Sequence, residues 1–404
     1  MAEPAHLSSD TSDDVPLALH PLVYLEDGGE VTIGRRDTES YAIFPPDGAE
    51  LVRRLQEGAT PAQAADWYEH TYGERADVGD VVEALHELGF VRAEGEAETA
   101  PEPVRWQRLG RAVFSPAAWA CYGLAVAWAV VSVVRRPELL PSPQDLVFSH
   151  YYAVITLVLL VVAVPLIALH EIFHALAGRR LGIRSRTRMS YRFYFLVVET
   201  SLDGLAGVER RKRYLPILAG MVADTVLISL AVIVAGFTHG LTARLCLAVA
   251  FTTFIRVLWQ FFLYLRTDIY VLITTVLGCV DLHTTSLRML ANRVNRLLGR
   301  TDRLTDESLW HPVDRRAARW YSWLLPVGYV LSLSTFLWGI GPVFLNMISA
   351  SIDRFGAGHG STWVQLLDAA VFLVLTFAQI AIALWLAARE RIRSRRARLH
   401  HVIA

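Results

Sequence analysis

The 404-residue chain carries 39 basic and 39 acidic side chains, but this zero balance hides two opposite parts: residues 1–100 hold 22 Asp or Glu against 6 Arg, and residues 101–404 hold 17 against 33. So acidic a first part argues against nucleic acid as its partner, because a DNA- or RNA-binding face needs positive potential. Cys121, Cys246 and Cys279 are odd in number and lie in or beside apolar runs, which excludes a disulfide framework or a thiolate metal site.

Residues 1–16 are polar and acidic and are expected to be disordered. Leu22–Leu25, Glu30–Gly34 and Ser40–Phe44 alternate as short strands, with Asp27-Gly28-Gly29 as a turn. Three helices are predicted next. The first covers Pro46–Gln56, the second starts at Thr60-Pro61 with Thr60 as N-cap, and the third runs over Val78–Leu88 and is closed by Gly89. This order reads as a small α+β, winged-helix-like domain over residues 17–92, with 15 acidic against 6 basic residues. Residues 93–111 read as a charged, Pro-containing linker.

From residue 112 the character changes to that of a mostly α, polytopic membrane bundle. Ala112–Val134, Ala153–Leu169, Leu215–Gly236, Leu245–Leu265, Trp320–Ile348 and Trp363–Ala388 are long runs with very few charges. A helix needs about 20 apolar residues to cross a bilayer, so about six spans fit over 112–388. If the N-terminus is cytoplasmic, the inner segments 101–111, 179–213, 266–319 and 389–404 hold 3, 10, 9 and 6 basic residues. The outer loops then hold only Arg135, Arg136, Arg244 and Arg354, which satisfies the positive-inside rule with both ends inside. No apolar segment precedes residue 112, so the first span is expected to act as the insertion signal. Segment 280–318 is expected to lie along the inner leaflet, and residues 389–404 form a basic cytoplasmic tail. All basic residues but one are Arg, which points to a GC-rich bacterial genome and hence a bacterial cytoplasmic membrane.

The second span ends in Leu169-His170-Glu171-Ile172-Phe173-His174, an H-E-x-x-H sequence. On a helix, positions i and i+4 fall about 40° apart on one face, so both imidazoles can reach one ion. Ionisable residues inside a span are costly and usually functional. Two imidazoles and an oxygen ligand suit Zn2+, with the fourth position left open for water. The oxygen ligand read from topology is Asp268, at the inner end of the fourth span and at similar depth to His170 and His174; Asp224 and Asp281 are the reserves. The plainer reading of Asp268 is a helix-end carboxylate paired with Arg266. Arg256, deep in the fourth span, is expected to pair with Asp224, because an unpaired Arg in hydrocarbon is very costly.

Over about residues 150–290 the chain resembles the site-2 protease family of intramembrane zinc metalloproteases, in which an H-E-x-x-H helix and a later Asp from another span bind zinc. The alternating Tyr191–Val198 looks like the membrane-associated hairpin of that family, and Ala219-Gly220 is similar to its small-residue packing site. Many relatives carry Asn and Pro before the Asp and Gly after it; here the stretch reads Trp259-Gln260-Phe261-Phe262-Leu263, and Ile269 follows Asp268. That departure leaves the substrate-positioning group open, with Gln260 as the one stand-in. The N-terminal domain resembles the PqqD-like peptide-binding domains through its hydrophobic spacing, Gly58–Pro61 and Leu85–Val91. Such domains capture a leader peptide as an added strand beside a helix. An alternative role for so acidic a domain is to dock on the Arg-rich inner segments of its own chain.

Together these resemblances imply a zinc metallopeptidase with His170, His174 and Asp268 as ligands and Glu171 as general base. It would hydrolyse a peptide bond near the cytoplasmic face, with the N-terminal domain holding a peptide or membrane-protein substrate; a ribosomally made peptide precursor is one candidate. The alternative is a non-catalytic peptide-recruitment or export factor that retains a vestigial zinc site.

Overall fold

The computed structural model describes residues 15–35, 37–38, 40–93, 96, 104–192, 195–201, 203–335, 337, 341–356 and 362–403. Most of the expected disordered tail lies outside them. The chain is mostly helical, with thirteen α-helices and five strands among the described residues. It divides into two compact units: the first runs up to Arg105 and includes 182–184 and 202–213, and the second is the remainder.

In the first unit, β1 (Val23–Asp27), β2 (Glu30–Arg35) and β3 (Ser40–Phe44) form an antiparallel meander in the order β1-β2-β3. Asp27 pairs with Glu30 across a two-residue turn. Gly28 and Gly29 take φ of 67° and 89° there, the left-handed conformation that a tight hairpin turn requires. Three helices follow: α1 (Pro46–Gln56), α2 (Pro61–Tyr72) and α3 (Val78–Glu87). Thr60 caps α2 reciprocally with Gln63, and Asp77 caps α3. The core collects Ile33 from the sheet, Leu51, Val52 and Leu55 from α1, Leu85 from α3, and Phe90. The chain before β1 closes on the end of the unit, where the N–H of His20 donates to the carbonyl of Phe90 at 3.0 Å. The same unit holds an ion pair from Arg210 Nε to Asp27 Oδ2 at 2.8 Å.

The second unit begins with α4 (Gln107–Val113), so the stretch read as a linker to residue 111 is already helical at its end. Four long apolar helices follow: α5 (Pro116–Arg135), α6 (Tyr152–Arg180), α7 (Arg210–Phe237) and α8 (Gly240–Trp259). Between α6 and α7, β4 (Arg186–Arg192) and β5 (Phe195–Ser201) pair antiparallel, so the alternation near Tyr191 does form a hairpin. After α8 come α9 (Asp268–Leu277), α10 (Leu282–Leu297), α11 (Pro312–Thr335), α12 (Gly341–Gly356) and α13 (Trp363–Ile403).

Among the described residues, five helices are long and apolar enough to cross a membrane: α5, α6, α7, α8 and the Trp363–Ile382 part of α13. A bent pair, α9 and α10 at 88°, would make a sixth if counted as one broken span. Of the run read as one span over Trp320–Ile348, residues 336 and 338–340 lie outside the described residues; α11 and α12 hold the rest, and neither is among the five. One sequence expectation is corrected here. The run read as a span over Leu245–Leu265 is instead α8, which starts at Gly240 and stops at Trp259, before the turn that leads to Asp268. The basic residues from 389 continue α13 as helix.

Candidate metal centre

The H-E-x-x-H segment sits in the last third of α6, with Arg179 and Arg180 in the helix's final turn, where they face the negative end of its dipole. The segment is braced from behind. Phe114, at the end of α4, meets Phe173 edge-on at 5.8 Å between ring centroids, and Phe114, Leu176, Ala177 and Ala219 share one buried cluster. His170 and His174 are both buried and point to the same side, with 3.1 Å between their Nε2 atoms.

Their other ring nitrogens decide what these Nε2 atoms can do. His174 Nδ1 lies 2.7 Å from the carbonyl oxygen of Pro216 on α7, and His170 Nδ1 lies 2.9 Å from Asp224 Oδ2, also on α7. A carbonyl and a carboxylate only accept, so each Nδ1 donates a hydrogen. In the neutral form of the rings, bare Nε2 lone pairs face each other.

Asp268 completes the group. Its Oδ2 lies 3.3 Å from the Nε2 of both His170 and His174. That oxygen is buried and has no hydrogen-bond partner, as expected when the hydrogens of both rings sit on Nδ1. These three are the one group of His, Cys, Asp or Glu able to share an ion among the described residues. Three electron-rich atoms this close repel one another unless a proton or a cation lies among them. A tetrahedral ion with zinc–ligand bonds of 2.0–2.1 Å spaces its ligands ~3.3 Å apart. The observed 3.1, 3.3 and 3.3 Å fit that spacing.

Gly220 on α7 forms one wall. A Cβ built on it would collide with the Nε2 atoms of both histidines, so only glycine leaves this space open. The sequence reading placed Ala219-Gly220 as a helix-packing site; Ala219 is fully buried, and the further role of Gly220 depends on how α6 and α7 meet. Asp224 is not a ligand here. It is fully buried between His170 and Arg256, whose Nε donates to Oδ2 at 3.1 Å and whose Nη2 donates to Oδ1. The Arg256–Asp224 pair expected from the sequence is thus present, and it carries a second duty in holding the His170 ring. Asp281, the other reserve, caps α10 by accepting from the N–H of Thr284.

The turn that delivers Asp268 is built locally. Gln260 ends α8, and its side-chain oxygen accepts the backbone N–H of Asp268 at 3.0 Å, while Thr267 Oγ1 donates to the carbonyl of Gln260 at 2.5 Å. Arg266 takes φ of 56°, a left-handed conformation that turns the chain into α9. Gln260, read from the sequence only as a stand-in for a substrate-positioning group, holds the turn of a ligand. Glu171, one residue past His170, is half-buried.

Comparison with known proteins finds no matching family model, no matching curated protein and no matching solved structure.

Proposed function

We propose that the chain is a membrane-embedded zinc metallopeptidase similar to site-2 proteases, with both termini in the cytoplasm and its hydrolytic centre near the cytoplasmic face. The observation that carries this reading is the convergence of His170 Nε2, His174 Nε2 and the buried, unbonded Asp268 Oδ2 within 3.3 Å at the end of a long apolar helix. His170, His174 and Asp268 would hold the ion. Zinc in such a site lowers the pKa of water to about 7 and polarises a carbonyl.

The remaining steps belong to the chain. Asp224 and the Pro216 carbonyl hold the two imidazoles in the tautomer that exposes Nε2, a supporting shell of the kind that raises ligand basicity and fixes ring orientation. The Glu171 carboxylate takes the proton of the attacking water and then delivers a proton to the amide nitrogen of the breaking bond. Arg256 balances Asp224 and so keeps a second buried carboxylate tolerable beside the centre. The first unit, winged-helix-like and resembling PqqD-like domains, captures a peptide at an edge of its three-stranded sheet and supplies the substrate.

Glu171→Gln tests this reading. The variant is expected to keep its bound zinc and to lose peptide-bond cleavage that the zinc-loaded wild type performs. Peptidase activity retained in that variant removes the proposed base. Absence of cleavage by the zinc-loaded wild type as well favours the recruitment role.

A further inference from the structure

Helix α10 is inside-out by the standards of a water-soluble helix. Leu287, Ala291, Val294 and Leu298 recur at spacings of four, three and four, which places them on one face. All four are exposed; Leu287 stands 44%, Val294 45% and Leu298 58% open. The opposite face, packed on α11, buries Thr285, Ser286 and Asn292 beside Leu282 and Met289. Asn292 is fully occupied there: its Nδ2 donates to the carbonyl of Thr305 at 2.9 Å, and its Oδ1 accepts the N–H of Thr305 at 3.0 Å.

Polar side chains turned inward and apolar ones outward require an apolar medium on the outer face. Two features decide how that medium is met. The 88° bend between α9 and α10 means that only one of them can run along a membrane normal. The 16 residues of α10 include Arg288, Arg293 and Arg296, a charge load that a crossing helix meets only at high cost. Arg288 borders the apolar stripe and Arg300 stands exposed just beyond the helix end, two cations complementary to anionic headgroups, while Arg303 pairs with Asp302 at 3.8 Å.

We propose that α10 lies in the plane of the membrane surface. Its Leu287–Leu298 stripe sinks among the upper acyl chains, and Arg288 and Arg300 rest on the phosphates of anionic lipids. This inference is independent of the peptidase reading and rests only on the apolar helices crossing a bilayer.

The test uses the full chain with Cys121→Ala, Cys246→Ala and Cys279→Ala, reconstituted in phosphatidylcholine vesicles with about one third phosphatidylglycerol. A fluorophore is attached in turn through Leu287→Cys, Val294→Cys and Leu298→Cys, with Leu124→Cys in the middle of α5 as the spanning control. Quenching by a shallow doxyl lipid is expected to exceed quenching by a deep one at all three α10 positions, and the reverse at position 124. Three results overturn the proposal. One is a depth that changes steadily from 287 to 298 by about 16 Å, as a crossing helix gives. Another is quenching by aqueous iodide alone. The third is shielding from both lipid and iodide, as a contact with a second copy gives. If position 124 also escapes lipid quenching, the membrane reading itself falls and this inference falls with it.

Discussion

His170 presents a bare Nε2 because Asp224 holds its Nδ1 hydrogen at 2.9 Å, and Asp224 is in turn held by Arg256. Asparagine at 224 keeps an accepting oxygen but loses the charge that strengthens the ring as a donor. Asp224→Asn is therefore expected to weaken zinc binding about 10- to 100-fold in a chelator competition titration, with the fold retained. Unchanged affinity would show that the bond does not tune the centre. Asp224→Ala is the poorer test, since it strands the Arg256 charge and costs about 3–5 kcal/mol of stability. At this scale the H-E-x-x-H spacing was fully legible in the sequence, because one helix turn fixes both histidines. Asp268 was legible as an Asp at matching depth. The duties of Asp224 and Gly220 toward the histidines were hidden, because they arise only where α7 packs beside α6.

The turn between α8 and α9 sets the position of Asp268 through one bond, from its backbone N–H to the Gln260 side chain at 3.0 Å. Gln260→Ala removes a contribution of about 1 kcal/mol, so zinc affinity is expected to fall about fivefold, while Gln260→Glu keeps the acceptor and most of the affinity. An equal loss in both variants would point to a different role for the side chain. In the first unit, the Tyr68 hydroxyl on α2 donates to Asp47 in the first turn of α1 at 2.5 Å. This bond holds the Asp47 carboxyl below its usual range and pushes the Tyr68 phenol up to about 12. The depressed carboxyl contributes stability that is present above its unfolded pKa of about 3.9 and lost as pH falls through its folded value. The raised phenol contributes stability that is full below about 10 and lost as pH rises through its folded value. Tyr68→Phe is expected to speed amide exchange in α1 between those limits, with the difference from wild type vanishing once acid protonates Asp47. Strands β1–β3 and helices α1–α3 could be read directly, since Gly28-Gly29, Thr60-Pro61 and Gly89 are strong local punctuation. The break after Trp259 could not, because continuous hydrophobicity conceals the end of a helix.

Among the described residues, five helices are long and apolar enough for a bilayer, and the sole His–His–Asp group sits on one of them and at the start of α9. Asp224, Asp268 and Arg256 leave one negative charge around the two imidazoles before Glu171 is counted, which favours a cation among the three ligands. The central claim is that this group holds zinc, and the most direct measurement is zinc per chain in detergent-purified wild-type protein, with Asp268→Ala and Gly220→Ala run beside it. The prediction is about one zinc in the wild type, little in Asp268→Ala, and little in Gly220→Ala, whose added methyl meets both Nε2 atoms. A wild type that is free of zinc and takes up none when it is added, or one whose zinc survives unchanged in Asp268→Ala, would contradict it.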